Sequence, residues 1–271
     1  MNIFKAFLIT AILIGFDYGF NYGLSYIIKT FFESEDSLEK LELFSKTIGI
    51  IGILFTIIFY IIIINLFGIT PKLKLKKLNL NYINLELLVY LIALAIGLEL
   101  MEKPLFDFRL ILDKINGITI NPYTTYERDN STLIYMGISA LFVAPIFEEL
   151  IFRRHIFKNL YSQYTLSSSI LISSLCFSLI HLPSYRNLLP TFIFGVFCCL
   201  IYLKTKRIIY PIMLHFFGNL IWFLLVLFGK KYYTWIYSHE FGFIYWAVVI
   251  FGILLVILSF RKITTANKEL N

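Results

Sequence analysis

Phe-Glu-Glu-Leu-Ile-Phe-Arg, at residues Phe147 to Arg153, places two adjacent glutamates inside a run that is otherwise apolar enough to cross a membrane. Each carboxylate near the centre of a bilayer costs about 2.5–3.5 kcal/mol on insertion scales. Because two such costs fall side by side, we interpret Glu148 and Glu149 as parts of a functional site.

The composition is typical of an integral membrane protein. Of the 271 residues, 59% are hydrophobic and only 15% are charged, whereas about 25% of residues are charged in soluble domains. The 28 Phe and 18 Tyr residues suit lipid-facing surfaces and interfacial belts. The net charge of +7 comes from short basic clusters between apolar segments. We therefore expect the lipid bilayer as a partner and no nucleic acid.

The number of crossings follows from the length of the apolar segments. A helix needs about 20 predominantly apolar residues to span a bilayer. The sequence therefore predicts an all-α fold, a polytopic membrane helix bundle with about eight transmembrane helices. These are expected near residues 3–30, 46–68, 83–101, 132–160, 166–182, 188–203, 209–228 and 241–260.

We divide the chain into three parts on this pattern. Residues 1–130 hold the first three transmembrane helices and their loops. Residues 131–228 hold helices four to seven and all the candidate catalytic residues, so they form the predicted catalytic core. Residues 229–271 hold the last transmembrane helix and a cytoplasmic tail.

The distribution of charge between the loops predicts the orientation. An even number of spans puts both termini on one side, and basic residues favour the cytoplasmic side. With the N-terminus inside, the inner segments carry most Lys and Arg, including those at 72–77, while the first outer loop, 29–46, is rich in acidic residues. We expect a multi-pass plasma-membrane protein with both termini in the cytoplasm. The abundant Ile, Lys, Asn, Phe and Tyr and the short loops favour a bacterial source.

The fourth helix carries the first set of candidate residues. Glu149 and Arg153 are four residues apart, so they share a helix face in the favourable order for an ion pair. Glu148 projects about 100° away around the helix. A buried salt bridge that fixes helix packing would explain Glu149 and Arg153 but leaves Glu148 without a partner. Glu148 is therefore the candidate general base or acid.

A histidine on the fifth helix is the second candidate. His181 follows Phe177 by four residues near the end of that helix. Taken alone, it is better explained as a hydrogen-bonded packing residue. A hairpin turn at Tyr164 and Thr165, however, puts positions 148 and 181 at nearly equal distances from the turn. The two side chains can then face each other.

The seventh helix carries the third candidate pair. His215 and Asn219 are four residues apart, so they project from one face of an apolar helix. Asn219 could orient the imidazole or donate a hydrogen bond to a developing oxyanion. The structural alternative is interhelical hydrogen bonding, which is a common use of Asn and His in bundles.

The basic residues from Arg153 to Lys158 are expected to mark where the fourth helix leaves the bilayer. At 1.5 Å per residue, Glu148 would then lie about 7 Å inside the membrane. His215 lies at a similar depth from the same side. The sequence thus predicts that Glu148, His181 and His215 meet in a wet pocket just beneath the cytoplasmic surface.

Together, these motifs resemble the CPBP family of intramembrane proteases, which includes the CAAX prenyl endopeptidases and the bacterial Abi or bacteriocin self-immunity proteins. The matching motifs are Glu-Glu-x-x-x-Arg at 148–153, Phe-x-x-x-His at 177–181 and His-x-x-x-Asn at 215–219, in that order on successive helices. The resemblance covers roughly residues 130–228. The family often has Gly after the motif arginine, where this chain has Arg154.

The resemblance implies an endopeptidase that acts on peptides or membrane proteins. Glu148 would activate a water together with His181, and His215 with Asn219 would stabilise the oxyanion. Glu149 and Arg153 would support this geometry.

No cofactor is certain from the sequence. Zinc is possible, because Glu148, His181 and His215 match the ligand number of a catalytic zinc site with one open position. The chain has no His-Glu-x-x-His helix, so we favour a water activated by glutamate.

Two alternatives belong to other functional classes. Intramembrane Glu and His residues also form proton relays in transporters, although the two halves of this chain show no inverted repeat. A non-catalytic immunity or scaffold protein could retain the same fold.

Overall fold

The computed structural model describes most of the chain and is helical throughout the part that it describes. The described residues contain helices and turns and no β-strand. They are residues 1–32, 38–68, 84–106, 115–117, 130–182, 184, 187–239 and 241–266. The predicted basic segment at 72–77 and part of the acidic first loop, at 33–37, lie outside them.

Ten helices can be followed along the described residues. In chain order they are α1 (Ile3–Phe32), α2 (Leu38–Leu66), α3 (Leu85–Met101), α4 (Lys103–Phe106), α5 (130–161), α6 (Leu166–Leu179), α7 (Leu188–Thr205), α8 (Ile209–Phe228), α9 (Lys230–Ser238) and α10 (Phe243–Ala266).

The helical membrane bundle predicted from the sequence is confirmed. Each of the eight predicted spans coincides with a helix, and six described helices are long and apolar enough to cross a membrane. The two shorter ones are α3, with 17 residues, and α6, with 14 residues. At 1.5 Å per residue, α3 reaches about 25 Å, slightly less than the hydrocarbon core.

The predicted N-terminal, central and C-terminal parts share one apolar core. Leu91 on α3, Ile201 on α7, Leu214 on α8 and Val256 on α10 belong to the same buried cluster. Helices from all three parts therefore pack together. The division of the chain at residues 130 and 228 remains a prediction.

The close contact between α3 and α10 depends on two glycines. A Cβ atom on Gly97 would lie 2.9 Å from the carbonyl oxygen of Gly252, and one on Gly252 would lie 2.7 Å from the amide nitrogen of Met101. Neither position has room for a larger side chain. Small residues let helix backbones approach closely in membranes, where van der Waals packing drives helix association.

The helix that carries the glutamates changes its hydrogen-bonding pattern twice. In α5, the α-helical segment Ala144–Glu149 lies between two π-helical segments, Ser139–Val143 and Leu150–Phe157. π-Helical turns are rare in proteins overall, but those that occur often lie at functional sites. Glu148 and Glu149 therefore end a short α-helical stretch between two irregular turns.

Side chains from neighbouring helices bond to carbonyl groups in these π-helical segments. The Asn219 side-chain amide donates to the carbonyl oxygen of Ala140 at 2.6 Å. The Ser173 hydroxyl donates to the carbonyl oxygen of Phe152 at 2.8 Å. These bonds join α8 and α6 to α5 on either side of the glutamates.

The motif arginine is not a surface residue. Arg153 is completely buried inside the protein, within the apolar segment Leu133–Tyr161. Its charge is therefore used within the protein, whereas the sequence suggested that it marks the end of the span. Glu148 lies near the middle of this apolar segment, and its depth in the bilayer remains a prediction.

We expect Gly97→Val to separate α3 from α10 and to lower the free energy of unfolding by about 1–3 kcal/mol, the usual cost of overpacking. Gly19→Val is the matched control, because Gly19 lies in α1 and a Cβ there meets nothing within 4 Å. Unfolding of the purified protein in detergent measures both changes. Equal losses in the two variants would show that the glycine contact does not hold α3 and α10 together.

Candidate active site

A buried ion pair lies at the centre of the site. The Glu149 Oε1 atom lies 3.0 Å from Arg153 Nη1, and both side chains are fully buried. This is the pair that the i, i+4 spacing predicts. The guanidinium also donates to the Gly195 carbonyl oxygen at 3.5 Å and lies over the Phe177 ring, 4.1 Å from its centroid. Arg153 thus links α5 to α7 and α6.

His215 contacts both glutamates. Its Nδ1 atom lies 3.0 Å from Glu149 Oε1, and its Nε2 atom lies 3.9 Å from Glu148 Oε2. A carboxylate only accepts hydrogen bonds, so the imidazole Nδ1–H donates to Glu149. In the neutral imidazole, Nε2 is then a hydrogen-bond acceptor and faces Glu148.

Glu148 is buried, with 8% of its surface exposed. Its Oε2 atom has no hydrogen-bond partner within the described part of the chain. The Tyr60 hydroxyl on α2 faces its carboxyl group, and the Tyr60 ring stacks on Phe147 at 5.0 Å between centroids. Tyr60 is not among the residues predicted from the sequence, because one tyrosine in an apolar helix has no motif or spacing to distinguish it.

Phe177, the motif phenylalanine, contacts the arginine and both histidines of the site. The Phe177 ring packs on one side against Arg153, and it makes edge contacts with His181 at 5.0 Å and His215 at 5.6 Å between centroids. The His181 Nδ1 atom lies 3.0 Å from the Phe177 carbonyl oxygen. Because a carbonyl only accepts, this bond leaves Nε2 of neutral His181 as an acceptor.

A cavity of about 320 Å³ adjoins these residues. Among the predicted site residues, His181, His215 and Asn219 line it. Glu148 is not a lining residue and is joined to the cavity through its contact with His215. The structure therefore brings Glu148, Glu149, Arg153 and His215 into contact and places His181 and Asn219 on the cavity wall.

The cavity lies towards the ends of the helices away from the basic clusters. Its wall includes Glu102 just after α3, Asn187 just before α7 and Trp222 in the second half of α8. The basic residues at 153–158 and 204–207 lie at the opposite ends of α5 and α7. This differs from the predicted pocket beneath the basic, cytoplasmic end, because the sequence did not show that Arg153 is buried within the bundle.

The three side chains proposed as zinc ligands do not form a metal-binding cluster. Within the described ranges, no group of three or more His, Cys, Asp or Glu side chains has an arrangement that could hold a metal ion. Glu148, His181 and His215 thus do not fit the predicted zinc site in this arrangement, and we assign no step to a metal.

The helical bundle and its buried Glu and His cluster define a polytopic membrane protein with an intramembrane candidate site. Residues 130–221 match the family described as Type II CAAX prenyl endopeptidase Rce1-like. The match falls on the segment that carries the motifs, and it bears out the CPBP resemblance predicted from them. All the candidate catalytic residues lie within the matched segment.

Part of the chain is also similar in sequence to a bacterial membrane protein. Over 84 residues the chain is 38% identical to "Putative membrane peptidase YdiL" of Bacillus subtilis (strain 168). The match covers 31% of this chain and 34% of that protein, so the chain spans about a third of the relative's length. No solved structure matches the chain.

Arg153→Met leaves the buried Glu149 carboxylate without its guanidinium. We expect this variant to lose about 3–5 kcal/mol of unfolding free energy, since a buried charge without its partner is strongly destabilising. The double variant Glu149→Gln/Arg153→Met should regain part of that loss. A double-mutant cycle on the detergent-solubilised protein measures the coupling.

Arg154→Met is the control for this cycle, because Arg154 is the adjacent arginine and is only half-buried. We expect Arg154→Met to change the free energy of unfolding by only about 0.5 kcal/mol. Additive effects of the Glu149 and Arg153 substitutions would contradict the central position of the ion pair.

Proposed function

We propose that this protein is an intramembrane endopeptidase that hydrolyses peptide bonds of membrane-associated peptides or proteins. The observation that carries the proposal is the contact of the buried Glu148 carboxylate with His215, which lies at the wall of a cavity. The Rce1-like domain and the similarity to YdiL support the same class of activity.

The nucleophile in this proposal is a water held by Glu148 and His215. The 3.9 Å between Glu148 Oε2 and His215 Nε2 is too long for a direct hydrogen bond. One water molecule can donate to both atoms, since each is an acceptor. Glu149 fixes the orientation of the imidazole through Nδ1, as the third group of a catalytic triad does.

Peptide hydrolysis then proceeds by general base and general acid catalysis. Glu148 takes a proton from the water as the hydroxyl oxygen attacks the carbonyl carbon of the scissile bond. When the carbon–nitrogen bond breaks, Glu148 returns that proton to the leaving amine. The products are a carboxylic acid and an amine, and the enzyme ends in its starting protonation state.

Asn219 is the best placed donor for the oxyanion. One of its amide hydrogens is bonded to the carbonyl oxygen of Ala140, which fixes the side chain on the cavity wall and leaves the second hydrogen for the substrate. Neutral His181 and His215 present acceptors at Nε2. They can donate to an oxyanion only when they are protonated. The family resemblance implies that His215 and Asn219 stabilise the oxyanion together, whereas in this proposal Asn219 has that role and His215 helps to hold the water.

The location of the cavity bears on the substrates. We propose that the protein lies in a bacterial plasma membrane with both termini in the cytoplasm. In that orientation the cavity lies towards the outer face, away from the basic helix ends. Its volume of about 320 Å³ is near the lower limit for small-ligand pockets and suits a short extended segment of a peptide. Bacteriocin-like peptides, peptide pheromones and membrane-protein tails are candidate substrates.

We expect Glu148→Gln to lower the rate of cleavage of a quenched fluorescent peptide library by about 10²–10⁴-fold, the usual contribution of a general base. His215→Ala should lower the cleavage rate by a factor of the same order, because this substitution removes the second group that holds the water. The measurement uses purified protein in lipid nanodiscs, with and without a metal chelator.

The matched control is Glu86→Gln, because Glu86 is an exposed carboxylate in the first turn of α3 that bonds only locally to the Tyr90 hydroxyl. Cleavage by this variant should equal that of the unsubstituted protein. Unchanged cleavage by Glu148→Gln contradicts the mechanism. Loss of ion transport without any cleavage would favour the proton-relay alternative, and no effect on either would favour a non-catalytic immunity or scaffold protein.

Two exposed serines test the orientation. Ser162 and Ser238 each donate a hydrogen bond to a carbonyl three residues earlier, near opposite ends of the bundle. We expect a membrane-impermeant maleimide added to intact cells to label Ser238→Cys and to leave Ser162→Cys unlabelled. The three native cysteines are buried and give a low background. The reverse labelling pattern would place both termini outside.

A further inference from the structure

The cavity wall at the C-terminal end of α3 holds a second charged cluster. Glu99 and Glu102 line the cavity, and Lys103 follows them in the chain. The Lys103 ammonium lies 2.9 Å from Glu99 Oε1 and donates to the Tyr233 hydroxyl at 3.3 Å. Lys103 also lies over the Tyr233 ring, 4.5 Å from its centroid. Its charge is therefore matched within the protein.

The carboxyl group of Glu102 has no comparable partner among the described residues. Its side chain is 6% exposed, and its Oε1 atom is buried without a hydrogen-bond partner among the residues that the structure describes. Burial raises the pKa of the Glu102 carboxyl well above its usual range, and the negative charge of Glu99 adds to the rise while Lys103 opposes it. A buried polar atom without a partner is costly, so this one calls for an explanation.

A cationic group is the ligand that this cluster lacks. Glu99 and Lys103 neutralise each other, so an ionised Glu102 leaves one negative charge at the cavity wall. An ammonium or guanidinium group would neutralise it and would donate the hydrogen bond that Oε1 lacks. An opposite charge nearby also favours the ionised carboxylate.

The rest of the cavity suits the chain that would carry such a group. Its wall also includes Leu98, Pro190, Phe194 and Trp222, which are apolar or aromatic. Lys and Arg bury their aliphatic stems against apolar surfaces and present the charge at the tip. A peptide backbone at His215 and Asn219 could therefore direct a basic side chain towards Glu102.

We infer that Glu102 is a specificity-determining residue that binds a basic side chain of the peptide substrate, at the part of the cavity wall formed by the C-terminal end of α3. This inference rests on the proposed endopeptidase function, and it narrows the substrates to peptides with Lys or Arg close to the bond that is cleaved.

Equilibrium binding tests this inference independently of cleavage. The probes are two pools of fluorescent heptapeptides of Ala and Leu with blocked termini. One pool carries a single Lys at each position in turn, and the other carries norleucine, which has a similar stem without the charge. Anisotropy with the Glu148→Gln protein in nanodiscs gives the affinities without turnover.

We expect the Lys pool to bind roughly 10- to 100-fold more tightly than the norleucine pool, in keeping with a charge-assisted bond to a buried carboxylate. In Glu148→Gln/Glu102→Gln this preference should fall to about onefold. The control Glu148→Gln/Glu86→Gln should keep it. The Lys and norleucine comparison on the Glu148→Gln protein stands even if the Glu102 variant folds poorly.

The possible outcomes separate this inference from the proposed function. Equal binding of the two pools, or binding of neither, overturns the inference even if the protein cleaves other peptides. A preference for Lys that disappears with Glu102→Gln supports it, even if no peptide is ever cleaved and the endopeptidase proposal fails. A preference that persists in the Glu102→Gln protein shows that another group binds the cation and also overturns it.

Discussion

The Glu149 carboxylate, shared between Arg153 and His215, is the interaction on which the arrangement of the central helices depends. All three side chains are almost completely removed from solvent. Charges in such a place are stable only when they are paired and hydrogen-bonded. Because Arg153 lies on α5 and His215 on α8, one carboxylate oxygen fixes the position of two spans. The guanidinium extends the same constraint to α7 through Gly195 and to α6 through Phe177.

This constraint has a direct consequence for the chemistry. Glu149 holds His215 in one orientation and one tautomer, so the second imidazole nitrogen points at Glu148. The two adjacent glutamates therefore have different environments although they are neighbours in the chain. Glu149 forms the ion pair with Arg153, whereas the buried Oε2 atom of Glu148 has no hydrogen-bond partner among the described residues. A difference of this kind is what separates a structural carboxylate from one that can exchange protons.

The irregular backbone of α5 supports the same site. Its two π-helical segments flank the glutamates, and carbonyl groups in those segments bond to Asn219 and Ser173. In an apolar interior each backbone group needs a partner, because no water is available to supply one. Asn219 thus bonds to the backbone of α5 and also lines the cavity. The structural alternative raised for this residue and its catalytic interpretation are both compatible with its position.

The sequence alone determined the class of fold, the helices and the ion pair. Apolar length defines a membrane span, and an i, i+4 spacing brings Glu149 and Arg153 together whatever the rest of the chain does. The order of the motifs also predicted the resemblance to the family whose model matches residues 130–221. Only the tertiary structure decided that His215 rather than His181 contacts Glu148, that Tyr60 faces the same carboxylate, and that Glu102 lines the cavity. These contacts join residues on different helices, so they depend on helix rotation and on π-helical irregularities. No local pattern in the chain encodes those quantities.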